Sequence, residues 1–280
     1  MPELPEVETI RRSLAPFVEG RAVERLEVLD ARWSRPVLPS ELESAVKGRT
    51  IAGLARRGKY LCFDLGEDIV LACHLRMTGN FLYDAPPRTP YQRAVITLGD
   101  GHVLRYCDVR RFGTVDLLAG ADSQEAFFGR RLGVEPLGGD LSGSLLRTLA
   151  RGRRGPVKGF LLDQRQVAGI GNIYADEALF RAGVHPLRPA GELRPGQYEL
   201  LSEGIRGALQ AGIAAGGATI DDFRHPDGLY GSFQDEFRVH RRAGEPCVQC
   251  GREIRKFTVA GRGTYACEGC QPRPRRKLRK

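Results

Sequence analysis

Cys247-Val248-Gln249-Cys250, then sixteen residues, then Cys267-Glu268-Gly269-Cys270 place four thiols in two close pairs near the end of a 280-residue chain. Two tight turns that each present a pair of thiolates are what a tetrahedral zinc site requires, and four protein ligands leave no position open for water. One structural Zn2+ is therefore expected, and no catalytic metal. Between the pairs, Glu253-Ile254-Arg255-Lys256-Phe257-Thr258-Val259-Ala260-Gly261-Arg262-Gly263-Thr264-Tyr265 reads as a β-hairpin whose turn sets Arg262 beside glycine, where a cation can meet a phosphate. Cys62, Cys73 and Cys107 are scattered through strand-like sequence, and a total of seven cysteines argues against a disulfide framework.

Upstream of the cysteine module the periodicity is helical: Leu145, Leu146 and Leu149, then Ile173 through Phe180, then Leu200, Leu201, Ile205 and Leu209. Further back it changes to short runs at Val23–Leu29, Tyr60–Leu65, Ile69–Leu75, Ala94–Leu98, Val103–Tyr106 and Phe112–Leu118, with a hairpin signal at Asp100-Gly101. Short strands with little helix between them predict an antiparallel sandwich or barrel. Glycine and proline break the pattern in Leu132-Gly133-Val134-Glu135-Pro136-Leu137-Gly138-Gly139. The expected class is α+β: an N-terminal helix with an antiparallel β-sandwich over 1–132, a helical domain over 133–235, a four-cysteine zinc-finger hairpin over 238–272, and a basic tail over 273–280. Gly216, Gly217, Gly228 and Gly231, with Tyr230 and Phe233, predict a mobile loop before the finger.

Lys and Arg outnumber Asp and Glu by 43 to 34, a formal charge of +9 that favours a polyanionic partner, nucleic acid first. No apolar run approaches the ~20 residues of a membrane span, and the start lacks the basic and apolar regions of a signal peptide. A cytoplasmic protein is expected.

At the other end, Met1-Pro2-Glu3-Leu4-Pro5-Glu6-Val7-Glu8 opens an amphipathic helix with Val7, Ile10, Leu14 and Phe17 on one side. Proline commonly starts helices. Removal of Met1 would also expose a secondary amine beside a carboxylate, and a terminal amine titrates near pKa ~8 against ~10.4 for lysine, so more of it is unprotonated at neutral pH. Pro2 is thus a candidate Schiff-base nucleophile, with Glu3 adjacent as an acid.

The two ends agree. With Arg56-Arg57-Gly58-Lys59-Tyr60, His74-Leu75-Arg76-Met77-Thr78-Gly79, Asp108-Val109-Arg110-Arg111-Phe112-Gly113, Gly169-Ile170-Gly171-Asn172-Ile173-Tyr174, His185-Pro186, Gly216-Gly217-Ala218-Thr219 and Gly244-Glu245-Pro246-Cys247, the chain resembles the formamidopyrimidine-DNA glycosylase family over essentially its whole length. The resemblance implies a helix-two-turn-helix domain between sandwich and finger, double-stranded DNA with an oxidised base or abasic site as partner, and a monomer.

It also implies roles. Pro2 attacks the deoxyribose, Glu3 is the general acid, Lys59 serves β-elimination, and Arg262 serves δ-elimination, better as a phosphate clamp than as a proton donor given its high pKa. Met77, Arg110 and Phe112 fill the gap left by the flipped nucleotide. His74 and Asn172 bind phosphate, and Arg153, with Arg154 and Lys158, aligns with a basic DNA-contacting segment. Tyr91 aligns with a further DNA contact, although the family often has histidine there. Two other readings stand beside this one: the endonuclease VIII type, which prefers oxidised pyrimidines, and a non-enzymatic zinc-finger protein that only binds damaged DNA. Leu4 within Pro2-Glu3-Leu4-Pro5 and the Met77, Arg110, Phe112 set favour the purine enzyme.

Overall fold

The computed structural model describes residues 1–219 and 231–274. By packing, the chain forms two units: Met1–Arg131 with Ile213–Gln234, and Leu132–Gly212 with the chain from Asp235 onward.

The first unit begins with helix α1 (Leu4–Val18), which has Pro5 in its first turn and Glu6 accepting the backbone N–H of Glu3 at 2.8 Å. Proline costs nothing there, because the first turn has no acceptor for its missing N–H. Leu4, Val7, Ile10, Leu14 and Val18 are buried along one side. Phe17, expected on that apolar side, is 49% exposed and lies 4.9 Å from the Tyr83 ring, since Val18 takes the core position one residue on.

Two four-stranded antiparallel sheets follow. The first has the order β1 (Val23–Val28), β6 (Gln92–Leu98), β7 (Val103–Asp108), β5 (Gly79–Tyr83). The second runs β2 (Gly53–Arg57), β3 (Tyr60–Asp64), β4 (Ile69–His74), β8 (Thr114–Ala119). Leu26, Phe81 and Tyr106 from one and Leu61, Phe63 and Val115 from the other share a core with α1, the expected sandwich. The Asp100-Gly101 signal is the β6–β7 hairpin, with Gly101 at φ +88°.

Strands β2 and β5 and helices α2 (Pro39–Val46) and α3 (Ala121–Gly129) were not evident from the sequence. Gly53-Leu54-Ala55-Arg56-Arg57 holds no β-branched residue, and its strand state comes from pairing with β3. Helix α3 covers the outer side of β3, where Phe127 and Phe128 stand edge-on to Tyr60 at 5.6 and 5.8 Å. Of the described residues, 213–219 and 231–234 pack with this unit, and the Ala218 N–H donates to Glu6 Oε1 at 2.8 Å.

The second unit contains α4 (Gly143–Ala150), α5 (Val157–Leu162), α6 (Asn172–Arg181), most of α7 (Pro195–Ala214), and the finger hairpin β9 (Arg255–Val259) and β10 (Arg262–Ala266). Ser142 caps α4 by accepting the Leu145 N–H at 3.1 Å. Gly204 of α7 lies so near the Ala178 carbonyl of α6 that a Cβ would clash, which fixes the close approach of the two helices. Phe180 of α6 packs with Val239, Cys247, Ile254 and Cys267, so helix and finger share one core. The expected mobile loop at Gly217–Phe233 lies largely, and the basic tail mostly, outside the described residues. Among the described residues no helix is long and apolar enough to cross a membrane.

Candidate DNA-repair site

Pro2 and Glu3 are buried at the head of α1, with Glu3 only 3% exposed. Glu6 holds this end twice, with one carboxylate oxygen on the Glu3 N–H and the other on the Ala218 N–H. One turn on, the Glu8 carboxylate receives Arg11, Arg12 and Arg56 at 2.8–3.3 Å. Burial raises the Glu8 pKa, but the Arg11 and Arg12 guanidinium groups outweigh it and hold the carboxyl below its usual range. Arg56 also donates to the Gly58 carbonyl at 3.0 Å. It thereby fixes the two-residue β2–β3 turn, Gly58 at φ +56° and then Lys59, against the first turns of α1. Lys59 is 5% exposed, an unusual burial for lysine. The pattern of a Glu followed by arginines three and four residues on was visible in the sequence; the long-range arm to Arg56 was not.

His74 ends β4 and is largely buried. Burial, together with the nearby Arg76 and Lys59 charges, drives its pKa down to about 3, so the ring is neutral at working pH. Its Nδ1 accepts the Arg76 N–H at 3.1 Å, which leaves the ring proton on Nε2 as a donor. Because the folded pKa lies below the unfolded value, the unfolded chain takes up the proton first as pH falls. The stabilisation is full above pH ~6.5 and is lost towards pH 3, at up to ~1.4 kcal/mol per pH unit. Denaturant unfolding between pH 7 and 4.5 is expected to show a shallower pH slope for His74→Gln than for the wild type; equal slopes would refute the assignment.

Met77, Phe112 and Tyr91 are 36%, 53% and 53% exposed, and the Arg110 guanidinium lies 4.8 Å from the Phe112 ring centre. Phe112, expected to open a strand, precedes β8 on a loop and is free to project. Tyr91 sits at φ +63°, and its carbonyl accepts the Asp108 N–H at 3.0 Å, which ties it to the Arg110 loop.

In the second unit, Asn172 starts α6 and donates its amide to the Gly263 carbonyl at 3.0 Å, beside Arg262. Its amide therefore does not cap its own helix. Arg262 is exposed at the start of β10, after the two-residue turn Ala260-Gly261 with both φ values positive. Arg153 is exposed, with Nε on the Leu149 carbonyl at 2.9 Å. Lys158 departs from the expected DNA-contacting segment. It is fully buried, with Nζ 2.7 Å from Asp176 Oδ1 and bonded to Gly263 O and Thr264 Oγ1 at 3.1 and 2.9 Å. Asp176 Oδ2 in turn meets His240 Nδ1 at 2.8 Å. Lys158 thus ties the finger to α5 and α6. Lys158→Met would leave the buried Asp176 Oδ1 without its cation, with His240 still on Oδ2, and is expected to cost roughly 3–5 kcal/mol, read as a lowered thermal midpoint; an unchanged midpoint would contradict this.

The Cys247, Cys250, Cys267 and Cys270 sulfurs all lie within 4.8 Å of one another, with pairs at 3.8 and 3.4 Å. Zn–S bonds of ~2.3 Å at tetrahedral angles put sulfurs about 3.8 Å apart, so the cluster fits zinc closely. The site is structural, because all four corners are protein sulfurs.

A buried N-terminal proline–carboxylate pair on a β-sandwich, joined in one chain to a helical domain and a four-thiolate finger, defines a zinc-finger protein with a nucleophile candidate at its start. Three family models match most of the chain: the formamidopyrimidine-DNA glycosylase N-terminal domain at 1–115, its H2TH domain at 132–224, and the zinc finger found in FPG and IleRS at 244–273. The formamidopyrimidine-DNA glycosylase of Hahella chejuensis is 44% identical over 273 residues, covering 97% of this chain and all of that one. A Lactococcus lactis FPG mutant in complex with Fapy-dG-containing DNA has a TM-score of 0.90 at 37% identity, over 97% of this chain and all of that one. The MutM protein of Thermus thermophilus has 0.87 at 40%, over 98% and 100%. The chain belongs to the formamidopyrimidine-DNA glycosylase family.

Proposed function

We propose that the protein is a base-excision repair DNA glycosylase that removes oxidised purines, 8-oxoguanine opposite cytosine and formamidopyrimidines, and then cleaves the abasic site. The observation that carries this reading is the Pro2–Glu3 pair, held at the head of α1 by Glu6 with the Lys59 turn braced nearby by Arg56. Once Met1 is removed, the Pro2 nitrogen attacks C1′ of the flipped nucleotide and the base departs. Glu3 gives a proton to the opening sugar, and a secondary amine then yields a cationic iminium. That cation acidifies the C2′ proton, so the 3′ phosphate leaves by β-elimination and the 5′ phosphate by δ-elimination. Lys59 serves the first elimination and Arg262 clamps the departing phosphate of the second. The product is a one-nucleotide gap with phosphate at both ends.

Met77, Arg110 and Phe112 fill the vacated stack, with Arg110 donating to the orphaned base. His74, through its Nε2 proton, and Asn172 hold phosphate, as do Arg153 and Tyr91 at the margin. The protein acts as a monomer in the cytoplasm on double-stranded DNA, through modules at 1–132, 133–235 and 238–272. The test is a nicking assay on duplexes carrying 8-oxoguanine opposite cytosine or an oxidised pyrimidine. Faster cleavage of the purine duplex, with phosphates at both ends of the gap, is expected; preference for the pyrimidine would move the protein to the endonuclease VIII type.

A further inference from the structure

Strand β7 ends at Asp108, whose residue is 1% exposed, and four donors converge on its carboxylate. Oδ1 accepts the Thr78 hydroxyl and the Arg110 N–H, the latter at 3.2 Å. Oδ2 accepts the Gly113 N–H at 2.8 Å and faces the Tyr106 hydroxyl at 3.5 Å. The Arg110 N–H is shared with Thr78 Oγ1 at 3.0 Å, so the hydroxyl donates to the carboxylate and accepts from the loop. Thr78 directly follows Met77, whereas Arg110 and Gly113 bracket Phe112. One buried carboxylate therefore holds both segments that carry the exposed side chains.

Tyr106 closes the same knot from within the sandwich. A Cβ on either Gly79 or Gly113 would collide with its hydroxyl, so each loop meets the phenol with a residue that has no side chain. Its ring stacks on Trp33 at 4.9 Å and is 1% exposed, leaving it no room to yield. Burial and the Asp108 charge push the phenol well above its ordinary range, so it remains a donor. A buried carboxylate is costly unless its acceptor sites are filled, and here they are filled by two separate loops.

We propose that Asp108 is a positioning residue that clasps the Met77 and Arg110–Phe112 loops into one unit. The three side chains then enter the duplex together, and the opposite base is read as the wedge goes in. This rests on the void-filling roles given under the proposed function.

The test uses the full zinc-loaded chain and single-turnover excision of 8-oxoguanine opposite cytosine and opposite adenine. Thr78→Val keeps the side-chain volume and the buried carboxylate but removes the hydroxyl that joins the loops. It is expected to lower the cytosine-over-adenine preference about tenfold, the worth of one hydrogen bond to a charged group. Thr78→Ser should restore the preference, and adding Arg110→Ala to Thr78→Val should cost no more than Arg110→Ala alone. Asp108→Asn should lose at least as much preference as Thr78→Val; if that variant does not fold, the Thr78 pair still decides. A wild-type preference in Thr78→Val, while Arg110→Ala loses it, would overturn the clasp and spare the void-filling reading. Independent, multiplying losses in the double variant would do the same. A wild-type preference in Arg110→Ala would instead overturn the void-filling reading, and the clasp with it.

Discussion

Cys267→Ser is expected to release the zinc and to weaken binding to lesion-containing duplex by at least ~100-fold. Structural zinc sites of this kind contribute about 10–16 kcal/mol of folding free energy at neutral pH, far more than a hairpin of two five-residue strands supplies by pairing. Cys267 is fully buried, in the core that Phe180 of α6 shares with Val239 and Ile254. Its loss should therefore disturb the β9–β10 turn and the Gly263 and Thr264 contacts with Asn172 and Lys158. Metal content by absorption spectroscopy and binding by fluorescence anisotropy, on the same preparation, give the answer. Full affinity in a metal-free variant would show that the finger does not carry the DNA contact assigned to Arg262.

The second large effect concerns Pro2→Gly. This change keeps a terminal amine, so it separates the kind of nitrogen from its mere presence. A primary amine gives an imine that must be protonated before it withdraws electrons, whereas the proline nitrogen yields a permanently cationic iminium. Glycine also lacks the ring that fixes the direction of the nitrogen's lone pair at the head of α1. Base excision is expected to fall by at least ~100-fold, the scale of lost orientation and nucleophile activation. Binding to a duplex with a non-cleavable abasic analogue should stay within a few-fold of wild type. A variant that excises at the wild-type rate would remove Pro2 from the mechanism.

What the sequence revealed depended on the range of the interaction. The zinc ligands, the finger hairpin and the start of α1 were legible because each is a local pattern: paired cysteines, alternation around a glycine turn, proline and glutamate before an apolar stripe. Six strands and the main helices were found for the same reason. Strands β2 and β5 were hidden, because Gly53–Arg57 and Gly79–Tyr83 owe their conformation to neighbours far along the chain. Lys158 illustrates the same limit at the site. Within Arg153-Arg154-Gly155-Pro156-Val157-Lys158 it looks like one more surface cation, and only Asp176, eighteen positions away, and Thr264 turn it into a buried strut. Glu6, Glu8 and Arg56 likewise carried no signal of their joint task until the fold brought the Gly58–Lys59 turn and the Ala218 loop to α1. The residues named for chemistry came from motifs; those that hold them in place came from packing.

The role proposed for Pro2, nucleophile of a glycosylase acting on oxidised purines, is open to a trapping experiment: incubate the processed protein with duplex bearing 8-oxoguanine opposite cytosine, reduce with borohydride, and map the adduct by peptide mass spectrometry. A covalent protein–DNA product on the Pro2 nitrogen is predicted. An adduct on Lys59 or another lysine, or tight binding with no adduct at all, would contradict it.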